Sequence, residues 1–167
     1  MPSSRRPSPP DVSPDERDAL RLWVVLSRAH AAIAAHAAAD VARHGLTLAE
    51  FGVLEALHHK GPMLLGEVQR SLLVSSGGVT YLVDRLEQRG LVRRDKCAED
   101  RRARYAVLTD AGTEFVRQVF PQHAAAVAAA MNGLSPEEQR TVRALLRTLG
   151  TTAAALEPGA EEREPAA

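Results

Sequence analysis

The chain has 167 residues, 45% of them hydrophobic and 25% charged, which is the composition of an ordinary globular protein and argues against wholesale disorder. Its 21 Lys and Arg residues balance 21 Asp and Glu residues, so only the distribution of charge can point to a nucleic-acid partner. The one cysteine, Cys97, excludes an internal disulfide framework and a zinc site built from this chain's cysteines alone. A lone thiol also fits a reducing, cytoplasmic setting.

Composition separates two tails from a central domain. Residues 1–13 are dominated by Pro, Ser and Arg, and residues 157–167 contain four Glu against one Arg, so we predict a disordered arm and an acidic, disordered tail. Residues 14–156 are expected to form one folded domain. We expect no export signal, because no apolar run follows the first arginines. The apolar residues 20–42 are interrupted by Arg, His and Asp, so we interpret them as a buried helix of a soluble protein rather than a membrane span.

Two helices are predicted at the start of the domain. The first covers residues 14–43 and is stopped by the His-Gly pair that follows. Thr47 and Glu50 have the spacing of a capping box, which begins the second helix. Leu46 and Phe51 are placed for the accompanying hydrophobic staple, and the next Gly-Pro pair ends this helix.

Shorter elements follow. A third helix is predicted over residues 65–72, and a fourth begins at Ser75 or Ser76 and runs to residue 89. Residues 91–96 and 104–108 are predicted to be two strands joined by a charged turn, which gives the chain one β-hairpin.

The end of the domain is predicted to be helical again. Thr109 caps a long helix that reaches about residue 131. Pro121 is expected to kink or break this helix, because its ring removes a hydrogen bond and clashes with the preceding turn. Ser135 and Glu138 form a second capping box that opens a last helix, ending at about residue 155.

This order of elements is typical of a winged helix-turn-helix, with the helix-turn-helix over residues 65–89 and the wing over residues 91–108. Small polar residues at 75–80 let the start of the fourth helix approach a groove floor, where hydroxyls and free amides can bind bases or phosphates. Residues 85–104 carry eight basic and four acidic side chains in a chain of zero net charge. We therefore predict a partner that is double-stranded DNA.

Three segments resemble the MarR (multiple antibiotic resistance regulator) family. Residues 100–102 and 108–112 match the family's wing signature, D-x-R-x-x-x-x-x-L-T-x-x-G. Residues 79–92 are similar to its recognition helix and first wing strand, and residues 48–54 to the start of its second helix. The resemblance covers about residues 20–155 and implies a mainly α fold with one β-hairpin, in which a winged helix-turn-helix lobe adjoins a helical dimerisation region.

The resemblance also implies a homodimeric regulator of transcription, by default a repressor, in which residues 14–44 and 109–155 intertwine with a second subunit. Two-fold symmetry then predicts a palindromic operator with half-sites about 34–36 Å apart. Arg102 matches the minor-groove arginine and Asp100 the residue that braces the wing, while Arg85 either touches phosphate or pairs with Asp100. The full set of DNA-contacting candidates is Ser75, Ser76, Gly77, Thr80, Tyr81, Arg85, Arg101, Arg102 and Arg104.

A small aromatic effector is implied by the same resemblance, because family members commonly bind such compounds between the dimerisation helices and the DNA-binding lobes. Residues 73–81 look most like members that respond to catechols and quinones, so a phenol or quinone is the expected class. The alternative is that the candidate residues are simply core. These candidates are Trp23, His30, Phe51, Leu54 and Phe115.

Other functions are less well supported by the residues. The sequence lacks a nucleophile elbow, a phosphate-binding glycine loop and a metal-ligand cluster, so we predict no enzymatic activity, no cofactor and no bound metal. A winged helix that only contacts other proteins is one alternative. A redox sensor acting through Cys97, whose neighbours Arg94 and Lys96 favour a thiolate, is another.

Overall fold

The computed structural model describes residues 12–72, 76–96 and 103–156, and for Ser76 the main chain only. The described residues form six helices and three strands, so the predicted mainly α class is confirmed. In chain order the elements are α1 (Pro14–Ala42), α2 (Leu48–Lys60), β1 (Met63–Leu64), α3 (Leu65–Leu72), α4 (Ser76–Gln88), β2 (Val92–Lys96), β3 (Arg104–Leu108), α5 (Asp110–Ala130) and α6 (Pro136–Ala155).

Capping boxes fix the starts of three helices. The predicted boxes at Thr47 and Ser135 are both present, since each side chain accepts from the third amide of its helix and the glutamate there bonds back. A third box, which the sequence interpretation missed, joins Ser13 and Glu16 at the start of α1. Each box satisfies amides that have no partner inside the helix.

The strands form an antiparallel sheet in the order β1-β3-β2. The hairpin of β2 and β3 is confirmed, with Arg94 opposite Ala106. The two-residue β1 was not predicted, because so short a strand has no alternation to detect. Met63 of β1 also pairs with Ala106, which ties the base of the wing to the segment just before α3.

Pro121 was expected to kink or break its helix, and the predicted break is wrong. α5 runs without a break from Asp110 to Ala130, with Pro121 inside it. Val119 and His123, on either side of the proline, are both buried. Packing on both sides of Pro121 therefore holds the helix despite the lost hydrogen bond.

The chain divides into two compact units, Met1–Val127 and Ala128–Ala167. The core of the first unit gathers Phe51, Leu54 and Leu86 with a set of buried valines. Leu46 and Phe51, the expected staple pair, both belong to this core and are 4% and 1% exposed.

The interpretation of α1 as a buried helix does not hold within one chain. All of α1 is described, and its buried residues are confined to Ala37, Asp40 and Val41 near its end. Trp23 is 65% exposed and Val25 is 63% exposed. By length and composition alone α1 could cross a membrane, and core helices of soluble proteins and signal sequences share these two properties.

The second unit is equally open. Among residues 128–156, which the structure describes, none is buried. The large exposed apolar residues of α6 are Val142, Leu145, Leu146 and Leu149.

Candidate nucleic-acid interface

The start of α4 is presented on the surface of the first unit. Val79, Val83 and Leu86 anchor the inner side of α4 in the core. The opposite side is exposed at Gly77 and Thr80. A Cβ atom built at Gly77 meets nothing within 4 Å, so α4 has open space beside it at this position.

Four of the predicted DNA-contacting residues lie together on this exposed side. Gly77, Thr80, Tyr81 and Arg85 recur at the spacing of one helical face. Tyr81 is 60% exposed, and its ring centroid lies 5.9 Å from the guanidinium carbon of Arg85. Arg104 is placed elsewhere, at the start of β3, where it donates to the carbonyl of Ala103 at 2.9 Å.

The other predicted positions are not tested by this geometry. Ser75, Cys97, Asp100, Arg101 and Arg102 lie outside the described residues, as does the side chain of Ser76.

Arg85 has a partner that the sequence did not reveal. Its Nε donates to Oε1 of Glu50 at 2.6 Å, and the Glu50 side chain is 1% exposed. Neither of the two roles considered for Arg85 involved Glu50, because Glu50 already had a complete explanation as the capping-box residue of α2. Pairing with Asp100 falls outside the described residues.

The charge state of Glu50 follows from these contacts. Burial by itself acts to raise the pKa of Glu50, but the hydrogen bonds from the Thr47 amide and from Arg85 outweigh it, so the pKa is lowered. The pKa of Arg85 is raised, chiefly by its hydrogen bond to Glu50 and secondly by one to Tyr81. Glu50 therefore stays ionised and holds Arg85 on the exposed side of α4.

The base of the wing is braced by a second arginine. Arg94 of β2 is 20% exposed and forms ion pairs with Asp84, at 2.6 Å, and with Glu87, both on α4. Its neighbour Arg93 pairs with Asp95 at 2.8 Å. Part of the positive charge in residues 85–104 is therefore neutralised by nearby carboxylates, and Arg94 joins the hairpin to α4.

The last part of the wing signature has a structural explanation. The Thr109 hydroxyl donates to the carbonyl of Gly90 at 2.7 Å and accepts from the Gly112 amide at 2.9 Å. A Cβ atom at Gly112 would lie only 1.9 Å from the carbonyl oxygen of Leu91. The threonine thus caps α5, and the glycine lets α5 approach the end of the α4–β2 connection.

The candidate effector residues are divided between core and surface within one chain. Phe51 and Leu54 are core residues, whereas Trp23 and His30 are exposed on α1. Phe115 is half-buried, and its ring stands edge-on to His44 at a centroid distance of 6.4 Å.

A buried polar pair beside Phe51 was also missed by the sequence interpretation. His123 Nδ1 lies 3.2 Å from Oδ2 of Asp40, and the His123 ring is 4.6 Å from the ring of Phe51. The Asp40 side chain also pairs with Arg43. Single histidines and aspartates give no sequence signal of such a pair, because 83 residues separate its members. Among the described residues no group of three His, Cys, Asp or Glu side chains could hold a metal ion.

Comparison with known proteins identifies this architecture. The sequence profile of the MarR family matches residues 44–103. The HTH-type transcriptional regulator YkoM of Bacillus subtilis is 40% identical over 132 residues, which are 79% of this chain and 86% of that protein.

Solved structures are similar over most of the chain. The MarR family regulator Sco3205 of Streptomyces coelicolor, solved in complex with DNA, has a TM-score of 0.75 at 26% identity and covers 93% of this chain and 97% of its own. BpsR of Bordetella bronchiseptica, whose DNA binding is regulated by 6-hydroxynicotinic acid, has a TM-score of 0.70 at 28% identity over 75% of this chain and 90% of its own. These proteins are transcriptional regulators and not enzymes. The chain therefore belongs to the MarR family of winged-helix, DNA-binding transcriptional regulators.

Proposed function

We propose that this protein is a cytoplasmic repressor that binds a palindromic operator as a homodimer and is released by a small aromatic ligand. The observation that carries the proposal is the exposed side of α4, on which Arg85 is bound to the buried carboxylate of Glu50. Gly77 leaves room for a groove floor, and Arg85, bound to Glu50 at 2.6 Å, lies two turns further along the same face. Arg85, held in place on this face, is suited to bind a phosphate. The first turn of α4 can then contact base edges.

The wing is proposed to contact the flanking minor groove. Two features support this: Arg94 joins β2 to α4, and Thr109 joins the end of the hairpin to α5. A hairpin with so rigid a base would hold Arg102 at a fixed distance from the recognition helix. Arg102 is the proposed minor-groove residue, with Asp100 as its brace and Arg101 and Arg104 as phosphate contacts.

Homodimerisation is supported by two exposed apolar surfaces. On α1 the side chains of Leu20, Trp23 and Val25 are more than half exposed, and Leu145 on α6 is 65% exposed. Several large apolar side chains exposed on one helix are unusual for a monomer and are typical of sites of association. A second copy would bury both helices and place two recognition helices on one side of the assembly.

An aromatic ligand would act by favouring a dimer whose recognition helices no longer match the two half-sites. It can do so only if it binds that form more tightly than the DNA-binding form. Support comes from BpsR, whose DNA binding is regulated by an aromatic acid. The residues proposed to line the site remain Trp23, His30, Phe51, Leu54 and Phe115.

The test is a gel-shift with the promoter region beside the protein's own gene, at several salt concentrations, with and without a panel of phenols and quinones. We expect a complex that weakens steeply as salt rises, because phosphate contacts release counterions. Arg102→Ala is expected to lower affinity while the circular dichroism spectrum stays unchanged, and Arg117→Ala, on the exposed surface of α5, is the matched control. A complex indifferent to salt and to Arg102→Ala would instead indicate a winged helix that binds protein.

A further inference from the structure

Arg89 binds the recognition helix to the end of α1. It directly follows α4, and its two terminal nitrogens donate to the carbonyls of Gly45, at 2.7 Å, and His44, at 3.1 Å. The same guanidinium lies 5.8 Å from the ring centroid of Phe115 on α5. One side chain at the end of α4 therefore contacts two segments that are distant in sequence, the turn after α1 and α5.

The end of α1 is shaped to receive this cation. Gly45 has a φ of +70°, a left-handed conformation that glycine adopts without strain. His44 and Gly45 lie in the turn that follows α1, and both of their carbonyls accept from the guanidinium of Arg89. A planar guanidinium can satisfy two such carbonyls at once, which a lysine ammonium does less well.

Arg89 does not act alone. Arg85, four residues earlier and on the same face of α4, binds Glu50 at the start of α2. The two arginines thus bind opposite ends of the connection between α1 and α2. Two attachments one helical turn apart add to the core packing of Val83 and Leu86 and constrain the direction of α4 more tightly than either arginine would alone.

We propose that Arg89 is a positioning residue that fixes the angle between α1 and the recognition helix, and through it the separation of the two recognition helices in the dimer. This inference rests on the proposed function, in which α1 joins the subunits and α4 reads each half-site. Arg89 then needs no contact with DNA. Because Arg89 is bonded to the end of α1, the position of the dimerisation helices sets the position of α4. The position of α4 in each subunit then sets the spacing at which the two half-sites are bound.

The test measures spacing preference rather than affinity alone. A duplex is first selected from a random-sequence pool by the wild-type protein, and its central spacer is then lengthened or shortened by single base pairs. Binding is measured by fluorescence anisotropy for the wild type, Arg89→Ala, Arg89→Lys and the control Arg117→Ala. Duplexes with a single half-site and thermal unfolding curves are measured in parallel.

We expect the wild type and Arg117→Ala to prefer the selected spacing strongly. Arg89→Ala is expected to reduce that preference about fivefold or more. The same variant is expected to leave single half-site binding and the melting temperature nearly unchanged. Arg89→Lys is expected to have an intermediate spacing preference. Equal losses on single and paired half-sites, or an unchanged spacing profile, would overturn the inference. If the wild-type protein selects no duplex, the proposed function itself fails. If the wild type binds and Arg89→Ala keeps the wild-type spacing preference, only the inference about Arg89 fails.

Discussion

The carboxylate of Glu50, buried at the start of α2, lies 2.6 Å from the guanidinium of Arg85 on the exposed side of α4. Glu50 also accepts the amide of Thr47 at 2.7 Å. One carboxylate therefore both begins a core helix and orients a cation of the recognition helix. The proposed function therefore makes folding and DNA binding depend on the same negative charge, because Glu50 both caps α2 and holds Arg85.

Replacing Glu50 is expected to destabilise the fold and to weaken DNA binding. Glu50→Gln keeps the shape but loses the charge-assisted bonds, at a cost of about 1–3 kcal/mol. Arg85 then loses its anchor and its fixed direction. Urea unfolding and anisotropy with operator DNA measure the two effects, and Glu55→Gln on the same helix is the control. A variant as stable as the control would contradict the role assigned to Glu50.

Stability is expected to depend on pH through the same group. Because the pKa of Glu50 is lower in the folded protein than its ordinary value of 4.5, the unfolded chain binds more protons between those two values. The stabilisation is therefore fully present above about pH 4.5 and is lost as the pH falls through the folded-state pKa. Urea titrations across this range are expected to show a steeper loss for the wild type than for Glu50→Gln. Parallel curves would show that Glu50 has no part in acid unfolding.

Substitution of Gly112 is expected to loosen the junction between the wing and α5. An alanine Cβ there would lie 1.9 Å from the Leu91 carbonyl oxygen, so the backbone must move, at a cost of about 1–3 kcal/mol. Gly150→Ala is the matched control, since a Cβ at Gly150, inside α6, meets nothing within 4 Å. That control is expected to be neutral or slightly stabilising. Melting temperatures that fall equally for both variants would refute the steric explanation.

Features set by neighbouring residues were predictable from sequence. The capping boxes at Thr47 and Ser135 depend on residues three apart, and the hairpin depends on two adjacent apolar runs, so all were found with nearly correct limits. A candidate DNA-binding face could be proposed because Gly77, Thr80 and Tyr81 lie close together on one helix.

Features set by distant residues were not predictable. Arg85 and Glu50 are 35 positions apart, and nothing local distinguishes Arg89 from any other surface arginine. Whether α5 continues through Pro121 depends on the packing around this residue, which the pattern of neighbouring residues does not describe. The exposure of α1 was misjudged for a related reason: an apolar helix signals burial, but the sequence does not state whether the covering surface belongs to the same chain.

The exposed surface of α1 is expected to be an interface between two copies. Val25→Glu, at a side chain 63% exposed in one chain, would place a carboxylate among apolar side chains in the dimer, where it has no compensating partner. We expect dimer dissociation to increase about tenfold or more, measured by analytical ultracentrifugation. Lys60→Glu, an exposed position on α2, introduces the same carboxylate and is expected to leave the dimer intact. A Val25→Glu dimer as tight as the wild type would exclude this surface from the interface.

The two neighbouring arginines of β2 are expected to differ in their effect on DNA binding. Arg94 joins the hairpin to α4 through Asp84 and Glu87, whereas Arg93 pairs with Asp95 within its own strand. Arg94→Ala leaves two unpaired carboxylates on the recognition helix, where they repel phosphate, and releases the base of the wing. Arg93→Ala removes the same formal charge without either consequence.

We therefore expect Arg94→Ala to lower operator affinity at least about fivefold more than Arg93→Ala, a difference of roughly 1 kcal/mol. Anisotropy titrations at several salt concentrations separate the two variants. A loss that depends only on net charge would be equal for both and would vanish at high salt, since long-range attraction is then screened. A gap between the variants that persists at high salt would show that Arg94 acts by holding the wing in place, because the geometry of the hairpin is not screened by ions.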